Sequence, residues 1–121
     1  MNTSRDWPAL GTTGLRDFSA RDIGVVVVTY ASASTIEACL FRLLAGRDVA
    51  RVVVIDNASP DDTAAIVERL ARRDARLGLV RNPDNRGFAA ACNQGATAIS
   101  QPWVAFVNPD AYVERDTLSR L

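Results

Sequence analysis

Ile23-Gly24-Val25-Val26-Val27-Val28-Thr29-Tyr30 is the stretch on which the fold turns. Four consecutive valines put β-branched apolar groups on both faces of an extended chain, as in a central strand covered on both sides. A buried helix is disfavoured by the β-branching and the shortness of the run. Working outward, Arg51 to Asp56 (RVVVID) repeats the pattern and ends on an acidic residue. Leu77 to Arg81 is a shorter third strand. Trp103 to Val107 is an unbroken apolar run between Pro102 and Asn108-Pro109, and it reads as a fourth strand buried on both faces.

Helical patterns fill the gaps. Ser34-Thr35-Ile36-Glu37 has the form of a capping box, and Ile36, Leu40, Leu43 and Leu44 follow as one apolar stripe that Gly46 closes. Ser59-Pro60-Asp61-Asp62 predicts a second helix, with Ser59 as cap, Pro60 in the first position and Ile66, Val67, Leu70 and Ala71 on its inner face. Its Arg-rich end (Arg69, Arg72, Arg73, Arg76) reads as a solvated face. Asn82-Pro83-Asp84-Asn85-Arg86-Gly87 is a loop with strong turn chemistry. After it, Phe88, Ala91, Cys92, Gly95, Ala96 and Ile99 recur at helical spacing, with Phe88 expected in the core and small residues allowing close approach to a sheet. Asp116 to Leu121 reads as the start of a further helix.

Strands alternating with helices predict right-handed βαβ units: an α/β fold with a Rossmann-like open parallel sheet, helices on both faces and strand order 3-2-1-4. One domain fits 121 residues, with residues 22–121 as the folded part and residues 1–21 as a lead-in without periodicity. Trp7, Leu10, Leu15 and Phe18 in that lead-in are candidates for docking on the rest. The expected order brings Thr29-Tyr30, Asp56-Asn57 and Asn108-Asp110 to one edge, at a topological switch point where ligands bind in open α/β sheets.

Composition narrows the chemistry. The chain is 48% hydrophobic, enough for a core, and its formal net charge is zero. A protein living on phosphate attraction would be basic, so nucleic-acid binding is not expected. All 14 basic residues are Arg, which excludes a Schiff-base lysine and the Walker-type phosphate lysine. There is no His, hence no imidazole base and no His-ligated zinc within these residues. Cys39 and Cys92 lie outside metal-type spacing, on the apolar side of expected helices, and read as buried free thiols in a reducing setting. No apolar stretch approaches a membrane span, and Met1 to Asp22 lacks the pattern of a signal peptide. A cytoplasmic location is expected, with the inner face of the cell membrane as the alternative.

What fits that rim is constrained. Thr29-Tyr30-Ala31-Ser32-Ala33-Ser34 has none of the glycines that a dinucleotide turn requires. A nucleotide held by strand-tip carboxylates, with a metal bridging its diphosphate, remains. Asp110 at the end of a strand is either the cation-holding carboxylate or part of an Asn-Pro-Asp turn without a ligand.

Four segments carry a resemblance. VVVVTY at Val25 to Tyr30, VIDNASPDDT at Val54 to Thr63, NPDNRGFAAACNQG at Asn82 to Gly95 and VNPDA at Val107 to Ala111 occur in the order and spacing of one family. Together they resemble the inverting family-two glycosyltransferases with the GT-A fold, especially the bacterial rhamnosyltransferase-like branch. The resemblance implies transfer of a sugar from a nucleoside-diphosphate donor, dTDP-rhamnose or a UDP-sugar, to a glycan or lipid-linked acceptor. It implies that Thr29 and Tyr30 line the nucleotide pocket and that Asp56 hydrogen-bonds the base. Asn85, Arg86 and Gly87 would lie near base, ribose or diphosphate, with Gly87 alternatively serving backbone conformation alone. Asn108 would touch ribose or sugar, and Asp110 would coordinate Mg or Mn.

Two departures stand out. The family has Asn after the Thr-Tyr pair, where this chain has Ala31, so the loop geometry there is in question. Members of the family are also considerably longer, and the base that deprotonates the acceptor is expected beyond Leu121. Glu114 and Asp116 read as the acidic start of a helix, so no catalytic base is assigned. The expectation is therefore the donor-binding portion of an enzyme, with self-association through exposed apolar surface expected too. A nucleotide-sugar-binding module without turnover is the second reading. A sugar nucleotidyltransferase is the third, set back by the missing Gly-rich loop.

Overall fold

The computed structural model describes residues 22–121; the expectations for Trp7, Leu10, Leu15 and Phe18 fall outside that range. The chain runs β1 (Ile23–Thr29), α1 (Ile36–Leu44), β2 (Val49–Asp56), α2 (Thr63–Ala71), β3 (Leu77–Arg81), α3 (Phe88–Ala96) and β4 (Trp103–Phe106), then a short 3₁₀ turn at Leu118–Arg120. The strands form one parallel sheet in the order β3-β2-β1-β4, as expected.

The valine run explains the layering. Val25 and Val27 point into a core shared with Ile36, Leu40 and Leu43 of α1 and Val67 of α2. Val26 points the other way, toward Ala91 of α3, beside Val53 and Ile55 of β2. Each fully buried valine contributes about 1.5 kcal/mol as an upper estimate. Helices therefore cover both faces, α1 and α2 on one and α3 on the other. Close packing of α3 depends on Gly95: a Cβ there would lie 2.4 Å from Val26 Cγ1 and 3.3 Å from Ile55 Cγ1.

Several expectations are corrected. The fourth strand is not buried on both faces: Trp103 is 63% and Phe106 51% exposed. β4 is the edge of the sheet, hydrogen-bonded to β1 alone, and α3 packs on β1 and β2 rather than on it. An apolar run records that a strand suits burial, whereas its place in the sheet decides whether anything covers it.

Phe88 is not core either; it is 62% exposed. It occupies the first position of α3, whose buried contacts are made by Ala91 and Gly95.

The capping box at Ser34 and Glu37 does not form. No side chain caps α1; instead Ile36 N–H and Thr35 N–H donate to the Ser32 carbonyl. Glu37 pairs with Arg69 of α2 at 3.3 Å. Nor does Ser59 cap α2, which starts at Thr63 with Asp62 in the cap position. Ser59 and Asp61 are drawn into bonds with the strand tips and loops described below. The second cysteine, Cys92, is only partly buried, whereas Cys39 is buried; both are free thiols. No described helix is long and apolar enough to cross a membrane.

Candidate functional site

The tips of β1 and β2 meet in register, Thr29 opposite Asp56. Thr29 Oγ1 donates to Asp56 Oδ1 at 2.6 Å. Ser59 Oγ donates to the same oxygen at 2.6 Å, and Ser59 N–H donates to Oδ2 at 3.0 Å. Asp56 is only 3% exposed. A carboxylate with this little solvent needs such donors, and the two from Ser59 come from a turn that the sequence encodes locally: Asp56 receives the N–H three residues on, across Ala58 at φ 63°. Thr29 is fully buried, whereas Tyr30 is 53% exposed at the start of the following loop.

That loop crosses to the next one. Ala31 N–H donates to Ser59 Oγ at 2.9 Å and Ala33 N–H to Asp61 Oδ2 at 3.2 Å. Asp61 also accepts the Thr63 hydroxyl and N–H, and these hydrogen bonds hold its carboxyl below the usual carboxylate range. Thr63 Oγ1 in turn accepts Ser32 N–H at 2.8 Å. Ala31 has φ 54°, a left-handed conformation in which Asn is more comfortable than Ala. The departure at this position is therefore a local strain that the surrounding bonds hold in place.

A second network ties the Asn82–Gly87 loop to β2. Asn57 Oδ1 accepts from Asn82 Nδ2 at 2.9 Å and Arg86 N–H at 3.4 Å, and Asn57 Nδ2 donates to the Gly87 carbonyl at 3.1 Å. Asn82 and Gln94 of α3 exchange amide hydrogen bonds at 2.9 and 2.8 Å. Asn85 Oδ1 accepts Gly87 N–H at 2.9 Å, and Gly87 has φ 84°, which requires glycine. Asn85, Arg86 and Gly87 are exposed at this end of α3. Asn82 and Gln94 are the residues sequence reasoning missed. The available signal was an amide, Gln94, directly before Gly95 among the small residues of α3, with Asn82 directly after the third strand.

Asn108 and Asp110 follow β4. β4 pairs Trp103–Phe106 with Ile23–Val26, so it ends three residues below the tip of β1. The Asn108 carbonyl lies 3.5 Å from Cys39 Sγ of α1. Asp110 is close enough for its charge to act on Cys39, whose thiol is pushed up to about 11, chiefly by burial and then by that carboxylate. No hydrogen bond joins Asp110 to Thr29, Tyr30 or Asp56 among the described residues. Hydrogen bonds thus join the tips of β1 and β2, whereas Asn108 and Asp110 follow β4 without a hydrogen bond to them among the described residues. Glu114 and Asp116 are engaged at the surface, with Arg42 at 3.7 Å and Arg47 at 3.0 Å respectively.

The donor set suits one kind of cation site. Asp110 is an exposed carboxylate without a hydrogen bond or ion pair among the described residues, and no group of three or more acidic, Cys or His side chains gathers there. An all-protein cage is not built, but Mg-type sites use one or two carboxylates and take their other ligands from phosphates and water. The residues present fit a cation that arrives with a diphosphate.

The family model described as Glycosyl transferase family 2 matches residues 24–121. The chain is 31% identical over 100 residues to a succinoglycan biosynthesis protein, ExoU, of Rhizobium meliloti, covering 83% of this chain and 29% of that protein. It is 30% identical to an uncharacterized glycosyltransferase, EpsJ, of Bacillus subtilis, over 82% of this chain and 29% of that one. Among solved structures, the mannosyltransferase PcManGT of Pyrobaculum calidifontis, in complex with GDP-Man and Mn2+, superposes with a TM-score of 0.75 at 34% identity, over 83% of this chain and 31% of that one. TarS 1-349 of S. aureus, in complex with UDP-GlcNAc, gives 0.71 at 31%, over 82% and 29%. The chain spans less than a third of the length of these proteins.

Proposed function

The chain belongs to glycosyl transferase family 2, and from that premise we propose that residues 22–121 bind the nucleoside-diphosphate sugar of a metal-assisted transferase acting in polysaccharide biosynthesis. The observation that carries this reading is the shared rim: Thr29 locked to Asp56 at the tips of β1 and β2, with an uncommitted carboxylate, Asp110, after β4. Thr29 and the loop bonds hold Asp56 in place for the base. Tyr30, exposed beside it, offers an aromatic face to the nucleoside. Asn85, Arg86 and Gly87 lie on the side of α3 where ribose or diphosphate would pass, and Asn108 is placed for ribose or sugar.

Asp110 would hold Mg or Mn, which supplies Lewis-acid stabilisation of the departing diphosphate. The sugar then moves with inversion to a glycan or lipid-linked acceptor at the cytoplasmic side of the membrane. The relatives support the donor class, since PcManGT is named with GDP-Man and Mn2+ and TarS with UDP-GlcNAc. The VNPDA motif supports dTDP-rhamnose as donor, with a UDP-sugar second. A module that binds donor without turnover is the second reading.

Calorimetric titration of dTDP- and UDP-sugars, with and without Mn, tests the site. Metal-dependent binding is expected, abolished by Asp110→Ala and weakened about tenfold by Asp56→Asn, which keeps the shape but swaps an acceptor for a donor. Binding indifferent to both metal and Asp110 would sink the assignment.

A further inference from the structure

We infer that Cys39 is a positioning residue: its buried thiol pins the turn that presents Asp110, and so sets how tightly the chain holds a cation carried by a nucleoside diphosphate. This rests on the donor-binding reading above and deepens it.

Asn108-Pro109-Asp110-Ala111 is a β-turn, closed by the Ala111 N–H on the Asn108 carbonyl at 3.0 Å. Pro109 takes the second position, where its fixed φ suits such a turn, and Asp110 takes the third. That bond gives the four residues their shape, but it does not fix where the Asp110 carboxylate stands against the rest of the fold. Val107 N–H bonds the Val26 carbonyl of β1 at 3.0 Å, and beyond it no residue of the turn bonds to a strand among the described residues.

The anchor comes from α1. Cys39 is fully buried on the inner face of that helix, in the core with Val25, Leu40 and Leu43. Its thiol donates to the Asn108 carbonyl at 3.5 Å, and the Ala111 N–H acts on the same sulfur. A thiol serves both contacts because its sulfur accepts weakly as well as donates. One core side chain thus touches the first and the last residue of the turn, with Asp110 between them.

The other polar contacts of α1 with this segment lie at the surface. Arg42, on the next turn of the helix, stands 5.9 Å from the centre of the Tyr112 ring and pairs with Glu114 at 3.7 Å. The two side chains of that ion pair are 46% and 83% exposed, and pairs of this kind contribute little. Placement of the turn therefore falls to the buried contact. It matters because Asp110 is the single carboxylate of the proposed cation site, so no second protein ligand would compensate for a displaced one.

Titration of the 121-residue chain with UDP and with dTDP, each premixed with Mn, tests this in wild type and five variants. Cys39→Val fills the space without the hydrogen bonds, and Cys39→Ala removes them without overpacking; each is expected to weaken binding about fivefold. Cys39→Ser can still donate and accept, and is expected to stay within about twofold of wild type. Arg42→Ala is expected to stay within about twofold as well. Asp110→Ala should abolish binding. Denaturant midpoints separate positioning from packing, because a buried hydroxyl makes Cys39→Ser no more stable than Cys39→Val. Affinity should follow hydrogen-bonding capacity, with Ser above Val; affinity that followed the midpoints would mean packing alone and overturn the assignment. An equal loss in Arg42→Ala would overturn it too. Unchanged affinity in Cys39→Val and Cys39→Ala, with Asp110→Ala still abolishing binding, would overturn it while leaving the donor reading intact. No binding of either nucleotide by wild type would overturn both.

Discussion

The rim where β1 and β2 end and the segment after β4 are built in opposite ways. At the first, Asp56 is buried, accepts three hydrogen bonds and is flanked by loops that bond to one another. At the second, Asp110 is exposed after an edge strand whose Trp103 and Phe106 face outward. The contrast separates two jobs that both use a carboxylate. A group that must hold one orientation is immobilised by donors from its own fold. A group that must accept a cation together with a mobile diphosphate keeps its lone pairs free.

The largest expected effect breaks that symmetry directly. Asp56→Ala leaves the buried Thr29 hydroxyl and the part-buried Ser59 hydroxyl and N–H without their acceptor, so unfolding should become easier by about 3 kcal/mol. Asp110→Ala, at an exposed and unpaired position, should change stability by less than about 0.5 kcal/mol. Denaturant midpoints of the two variants check this; equal losses would show that the two carboxylates are not differently built.

A smaller effect is expected from Gly95→Ala, because the added Cβ would sit 2.4 Å from Val26 Cγ1 and 3.1 Å from its Cγ2. Val26 is inside the core, so α3 must move, at about 2 kcal/mol. Because Gln94 on the same helix holds Asn82, amide hydrogen exchange in the Asn82–Gly87 loop should quicken in this variant while residues after β4 are unaffected. Exchange that rose equally in both regions would deny that α3 serves the first one selectively.

Ala31→Asn should stabilise by about 0.5 kcal/mol, since φ 54° is less costly for Asn. A thermal shift upward sharpens the comparison by showing that the immobilised rim still carries strain; a shift downward would mean that Ala31 is preferred for another reason.

The smallest effect lies outside both regions and serves as their control. Asp74 is held below the usual carboxylate range by its hydrogen bonds from Arg76. A depressed folded pKa contributes stability that is present above the unfolded value and lost as pH falls through the folded one. The loss should therefore begin near about pH 4 and continue downward. Asp74→Asn should flatten that part of the stability curve without altering nucleotide binding at neutral pH, where the Asp74 carboxylate is ionised.

Much of this molecule was legible as sequence, and the failures share a cause. The valine run, the acid-tipped second strand and the period of α1 were correctly read because each is a local pattern with one physical solution. Val25 and Val27 had to face one layer and Val26 the other, whatever else the chain did. Ser34 and Ser59 were read as helix caps, also from local patterns, but neither caps a helix. Ser59 satisfies Asp56, and the Ser32 carbonyl takes the place of Ser34. A hydroxyl bonds to whichever polar group burial has left most in need, and here that group is the Asp56 carboxylate, buried at the strand tips.

Sequence alone determined the element order, the parallel sheet, the two-sided core and the identity of the acidic strand tips, because periodicity and β-branching act within a few residues. Only the tertiary structure decided that Trp103 and Phe106 of β4 would stay exposed and that Asn82 and Gln94 would brace the rim. Those outcomes depend on which strand lies next to which and in what register, and that is fixed by burying the whole core at once.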